Sequence, residues 1–253
     1  MIIFGYTLIF CIIGYLFGSM IFGQFLAWAK KKDLTIVGST NPGATNVKRE
    51  FGMGWAFFVS CLDAIKGMLA IFVCYGIYII AIYKAGYHDP NLYCLVYLTG
   101  VFACLGHCFP IQYVLCLIFN KGNKDKARKY KGGKGVSTTG GVLFAVSPYL
   151  GLIAFLIWLL VVLITRYVSM GSLLCMTIAS LFVLIPPVGN FYLFNANGGF
   201  PWLDTSSMGE SYQNYPWLMI GTLIILMCNN IILTCKHRPN IIKLISHQES
   251  KLF

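Results

Sequence analysis

The feature that most constrains this chain is a succession of apolar runs, most of them as long as a bilayer is thick, separated by short polar segments. Ile2 to Ala29, Trp55 to about Ala81, Leu150 to Thr165 and Trp217 to Cys235 are the clearest. A hydrocarbon core of ~30 Å offers no water to backbone groups, so a spanning segment must satisfy them internally, as a helix or a closed barrel does. These runs are continuously apolar and do not alternate, which selects helices. With 58% apolar and only 11% charged residues, the chain reads as an all-α polytopic integral membrane protein, one domain over residues 1–253.

The basic residues set the topology. No Lys or Arg precedes the first run, and Lys30-Lys31-Lys32 follows it directly, which holds that end in the cytoplasm and leaves the N-terminus outside. In order, the pattern predicts seven transmembrane helices, N-terminus out and C-terminus in. The fourth, Val136 to Val146, is unusually short. Ile111 to Phe119 is too short to span and reads as a re-entrant or interfacial piece. All but two of the nineteen Lys and Arg then lie on the cytoplasmic side; Lys66 is intramembrane and Lys84 outside. The net charge of +11 therefore reports topology, and no nucleic-acid partner is expected. A long outer loop, about 190–216, carries Asp204 and Glu210, with Trp202 and Trp217 as interfacial anchors. The ten cysteines are scattered through the apolar runs as small hydrophobes. Cys104 and Cys108 match no closed zinc site, and neither metal nor cofactor is expected.

Four polar segments on the predicted cytoplasmic face carry phosphate-type ligands. Gly38 to Arg49 combines turn glycines, neutral donors (Ser39, Asn41, Thr45, Asn46) and two cations, a set suited to an anion that accepts several hydrogen bonds. Lys131-Gly132-Gly133-Lys134-Gly135-Val136-Ser137-Thr138 repeats that chemistry, and Arg166 to Ser172 and His237 to Asn240 add to it. Neither glycine loop fits the nucleotide P-loop spacing, and no Cys-His or Ser-His pair forms a recognisable nucleophile motif. Asp63 and Lys66, three apart on one helix face, read as a structural ion pair. Gly14, Gly18, Ser19 and Gly23 read as a close-packing face. The chain is expected to break before Pro110, leaving His107 at the break.

These motifs carry a resemblance. Gly38 to Arg49, Leu62 to Gly67, Gly106-His107 with Phe109-Pro110, Lys131 to Thr138, Arg166 to Ser169 with Ser172, and His237-Arg238 with Asn240-Ile241, Lys243-Leu244 and Glu249 occur in that order. Together they resemble the PlsY family of bacterial membrane acyltransferases over about residues 14–249. The resemblance implies transfer of the acyl group of acyl phosphate to the 1-hydroxyl of glycerol 3-phosphate, giving lysophosphatidate and phosphate. It places the enzyme in the bacterial cytoplasmic (inner) membrane as a monomer among lipid, with its site facing the cytoplasm. Ser39, Arg49, Lys134, His237 and Asn240 would be catalytic. Asn41, Gly43, Thr45, Asn46, Lys131, Gly133, Ser137 and Ser172 would bind substrate. Two departures stand out. Thr40 replaces the second glycine of Gly-Ser-Gly-Asn, at a position where positive φ would strain a branched residue. The 111–130 connection is longer than the family pattern by roughly a dozen basic-rich residues, read here as a peripheral membrane-surface element. The principal rival, an organic-phosphate transporter, predicts polar residues spread through the helices and an internal repeat, and neither pattern is present.

Overall fold

The computed structural model describes residues 2–83, 86, 94–185 and 216–252, and these are helical apart from connecting loops. Lys84, residues 190–215 of the outer loop with Trp202, and the side chain of Trp217 lie outside the described residues. In chain order the helices are α1 (Ile2–Gly18), α2 (Phe22–Ala29), α3 (Ala44–Phe51), α4 (Met53–Ile77), α5 (Cys94–Cys108), α6 (Ile111–Phe119), α7 (Lys124–Ala127), α8 (Val136–Val146), α9 (Pro148–Thr165), α10 (Val168–Leu181) and α11 (Pro216–Ile245). Four helical stretches are long and apolar enough to cross a membrane: Ile3–Ala29, Met53–Ala81, Pro148–Thr165 and Ile220–Ile245. A fifth span is counted if α5 and α6, bent by 55° at Phe109-Pro110, act as one. Val136–Val146 and Val168–Leu184 are shorter apolar helices.

The first apolar run is broken at Ser19-Met20, which the sequence did not announce. Ser19 anchors the break. Its hydroxyl donates to Tyr15 O at 2.8 Å and accepts Ile111 N–H at 3.0 Å, tying the break to the start of α6. The small-residue face does pack closely. A Cβ on Gly14 would land on the Thr99 carbonyl, and one on Gly18 on that of Ala103, so α1 and α5 meet backbone to backbone. On α4 and α8, Gly67 lies against the Thr138 carbonyl and Gly141 against that of Ala64.

Two helices differ from their expected bounds. α10 begins at Val168, so Ser169 and Ser172 are helical and not part of a loop. α11 continues through Pro239 to Ile245, where Lys236 to Asn240 was expected to open a tail. A proline inside a helix removes one hydrogen bond, but here it does not end the helix. The continuation puts His237 and Asn240, three apart, on one face.

Two apolar clusters organise the bundle. The larger buries Phe10, Ile71, Tyr78, Tyr97, Leu143, Leu150 and Leu226 among α1, α4, α5, α8, α9 and α11. The smaller joins Ala27, Leu34, Val47, Ala56 and Val59, with Phe22 and Phe51 against them. That cluster pins the 30–43 loop and α3 onto α2 and α4. Many large apolar side chains, such as Phe4, Phe57, Leu160 and Ile164, instead face outward, the arrangement lipid requires.

Candidate active site

The first loop is held from inside by Asn46. Its amide donates to Leu34 O at 3.2 Å and to Val37 O at 3.0 Å, while its carbonyl oxygen accepts the Ser39 N–H at 3.0 Å. Gly38 (φ 57°) and Thr40 (φ 54°) are both left-handed, so the chain doubles back and presents Ser39 outward, exposed. Gly43, extended, starts α3. Thr45 lies exposed in its first turn and Arg49 in its last. The Asn41 side-chain oxygen is buried with no partner among the described residues. Arg49 Nη2 donates to Ser250 Oγ at 2.7 Å, across 201 positions of sequence.

The second loop reaches the same region from the other side. Lys134 Nζ donates to Asn240 Oδ1. The Asn240 amide donates to Ser169 Oγ at 2.8 Å and to Glu249 Oε1 at 2.7 Å, and the Ser169 hydroxyl donates to Glu249 Oε1 at 2.6 Å. Residues from the glycine loop, α10, α11 and the segment after α11 thus form one polar network. Leu252 N–H bonded to Arg166 O at 2.8 Å keeps that last segment folded back. Burial pushes the Lys134 ammonium down to about 8; Glu249 opposes this, while Lys243, Arg49 and Lys131 add to it. A partly desolvated cation beside three others is a strong anion site.

The remaining expected residues sit nearby in different ways. His237 is buried, and its Nδ1 lies 2.8 Å from Leu233 O. A carbonyl only accepts, so Nδ1 carries the proton and Nε2 the lone pair. Ser172 donates to Val168 O at 2.9 Å, turned back on its own helix. Ser137 lies in the first turn of α8, and Lys131 lines a cleft with Gln24, Trp28 and Tyr130. Gly133 packs on the His107 ring. Three of the four polar segments are therefore bonded directly to one another, and Arg49 joins the first through Ser250. Ser169 and Glu249 were not among the expected site residues. One signal was available, because Glu249 is the sole carboxylate in a stretch containing Lys236, Arg238, Lys243 and Lys251.

A family model described as glycerol-3-phosphate acyltransferase matches residues 8–247. The chain belongs to that family. Among its relatives, the glycerol-3-phosphate acyltransferase of Malacoplasma penetrans is 33% identical, covering 98% of this chain and 95% of that protein. The one from Mycoplasma pneumoniae is 35% identical over 95% and 92%. Among solved structures, a crystal structure of PlsY, an integral membrane glycerol 3-phosphate acyltransferase, in its glycerol 3-phosphate form superposes with a TM-score of 0.67. That pair is 30% identical, covering 97% of this chain and 94% of the other. The lysophosphatidic acid form gives 0.66 at 29% identity.

Proposed function

We propose that this family member is a glycerol-3-phosphate acyltransferase that takes its acyl group from acyl phosphate and releases lysophosphatidate and phosphate. The observation that carries the reading is the Lys134–Asn240–Ser169–Glu249 network with Arg49 beside it. It is an anion site assembled from cytoplasmic-type segments at the edge of a lipid-exposed bundle. Glycerol 3-phosphate is a small dianion from the aqueous side, while the donor carries an acyl chain that must stay near lipid. A site at this boundary admits both.

The chemistry asks little of the protein beyond positioning and charge. Acyl phosphate is a mixed anhydride and already activated. The glycerol 1-hydroxyl attacks the acyl carbon, and the carbon–phosphate oxygen bond breaks as phosphate leaves. Arg49 and Lys134 hold the two phosphoryl groups and stabilise the charge that develops in between. Ser39 and the start of α3, with Thr45, supply neutral donors. Asn41 offers its unpartnered oxygen to a glycerol hydroxyl. Asn240 keeps the Lys134 ammonium aimed. Gly43, Asn46 and Gly133 shape the loop backbones, and Lys131, Ser137 and Ser172 complete the wall. The attacking hydroxyl's proton goes either to a substrate phosphate oxygen or to Nε2 of His237, whose tautomer leaves that nitrogen able to accept. In this reading the chain crosses the bacterial inner membrane seven times as a monomer. The seven crossings are the four long stretches, α5, α8 and α10, with α6 as a re-entrant or interfacial piece, the N-terminus outside and the site in the cytoplasm.

The test is reconstitution. Purified protein in detergent is supplied with glycerol 3-phosphate and acyl phosphate, with acyl-CoA in parallel, and lysophosphatidate and phosphate are followed. Product from acyl phosphate alone, lost in Lys134→Ala, is the expected result. Product only from acyl-CoA overturns the donor. No product from folded protein with either donor returns the phosphate transporter as the better reading.

A further inference from the structure

We propose that His107 is a positioning residue for acyl transfer, setting the place of the Gly132–Lys134 backbone while the buried Asp63–Lys66 pair locks its ring. This rests on the reading above that Lys134 meets the phosphorylated substrates. The last turn of α5 touches the glycine loop in two ways. The His107 carbonyl accepts the Gly133 N–H at 3.0 Å. A Cβ on Gly132 would strike that same carbonyl oxygen, and a Cβ on Gly133 would strike Nε2 of the ring. Two successive glycines are thus pressed flat onto one histidine, immediately before Lys134. Any side chain at either position would lift the loop.

The ring is fixed from behind. Its Nδ1 lies 2.8 Å from Lys66 Nζ and 3.3 Å from Thr138 Oγ1, on the first turn of α8 beyond the loop. Lys66 Nζ lies 2.7 Å from Asp63 Oδ1 and also donates to Met20 O at the α1–α2 break. An ammonium paired with a carboxylate has only donors to offer. Nδ1 must therefore present its lone pair, and the imidazole proton sits on Nε2, the edge that meets Gly133. Asp63, Lys66 and His107 are all almost fully buried. One hub consequently ties the break in the first span, α4, α5, α8 and the loop together. An ion pair that served only to hold helices together would not need to end on the ring under the glycine loop.

The experiment compares purified, detergent-folded wild type, His107→Ala, His107→Asn and Thr138→Val, each checked by thermal melting. Asn keeps an acceptor near the Nδ1 position, and Val keeps the shape of Thr138 while removing its hydroxyl. With loop placement lost, kcat/KM for glycerol 3-phosphate should fall on the order of a hundredfold in His107→Ala, partly restored in His107→Asn. Thr138→Val should give a smaller fall with unchanged melting. The readout separating position from stability is Lys134 itself. Its neighbours Arg49, Lys131, His237, Lys243 and Glu249 are intact in all variants. A displaced ammonium regains water, so the pH at which Lys134 becomes reactive to an amine label should rise. Folded His107→Ala and Thr138→Val with wild-type kinetics and unchanged Lys134 labelling would overturn the proposal alone. Should the His107 variants not fold, Thr138→Val decides. A fully active Lys134→Ala would remove the site reading, and this proposal with it.

Discussion

Thr40 is the residue whose replacement should improve the protein. It occupies a left-handed conformation, φ 54°, is exposed, and closes a turn through its own N–H to Val37 O at 3.0 Å. A non-glycine residue there costs roughly 1–2 kcal/mol, and a branched Cβ belongs at the upper end. Glycine removes that strain but gives the open loop more freedom, worth about 0.5–1 kcal/mol in the other direction. The net gain for Thr40→Gly is therefore about 1–1.5 kcal/mol, or a roughly fivefold to tenfold shift toward the closed loop. Hydrogen exchange of the 38–43 amides reads this directly. Because Asn46 clamps the Ser39 amide only in the closed arrangement, KM for glycerol 3-phosphate should not rise, and should fall by at most that factor. Thr40→Val, equally branched, should leave both unchanged. Equal or faster exchange in Thr40→Gly, with Thr40→Val like wild type, would refute the strain argument.

Other outcomes follow from features already described. With Lys134 held at about 8 by burial, its charge is present below that pH and lost above it, so kcat/KM should decline about tenfold per unit at higher pH. In Lys134→Arg the guanidinium stays charged, and that limb should vanish from the pH–rate profile even if overall activity falls. Gly18→Leu would drive a side chain into the Ala103 backbone and cost about 1–3 kcal/mol or more, seen as a lower melting midpoint in detergent. Deleting residues 121–126 removes four exposed charges and most of α7. It should leave kcat in detergent within about twofold while weakening salt-sensitive binding to anionic vesicles.

How much of this could be read from the sequence depended on whether the signal was local. The four long apolar helices were legible because their runs are continuously apolar, and the strain at Thr40 because the family resemblance places a glycine there. The break at Ser19 was not, because its partner there, the Ile111 N–H, lies ninety-two residues away in sequence. Pro239 misled, since a proline in polar surroundings reads as a helix end while the neighbouring turns of α11 in fact carry the helix through it. With α10 taken as starting late, at Leu173, and α11 as ending early, at Cys235, no register existed to set Ser169 against Asn240. Glu249 was visible only as a family motif residue, without the partners that give it a role.

The return of residues 249–252 onto the site has a consequence for biogenesis. Arg49 leaves the ribosome 201 residues ahead of Ser250, yet the two are bonded. The helices can enter the bilayer one after another during synthesis, but the polar network closes only once the chain has been made past Glu249. A product truncated anywhere before Glu249 would be inserted, soluble in lipid and lacking the clamp on Asn240. Closure of the network therefore follows placement of the helices and does not accompany it.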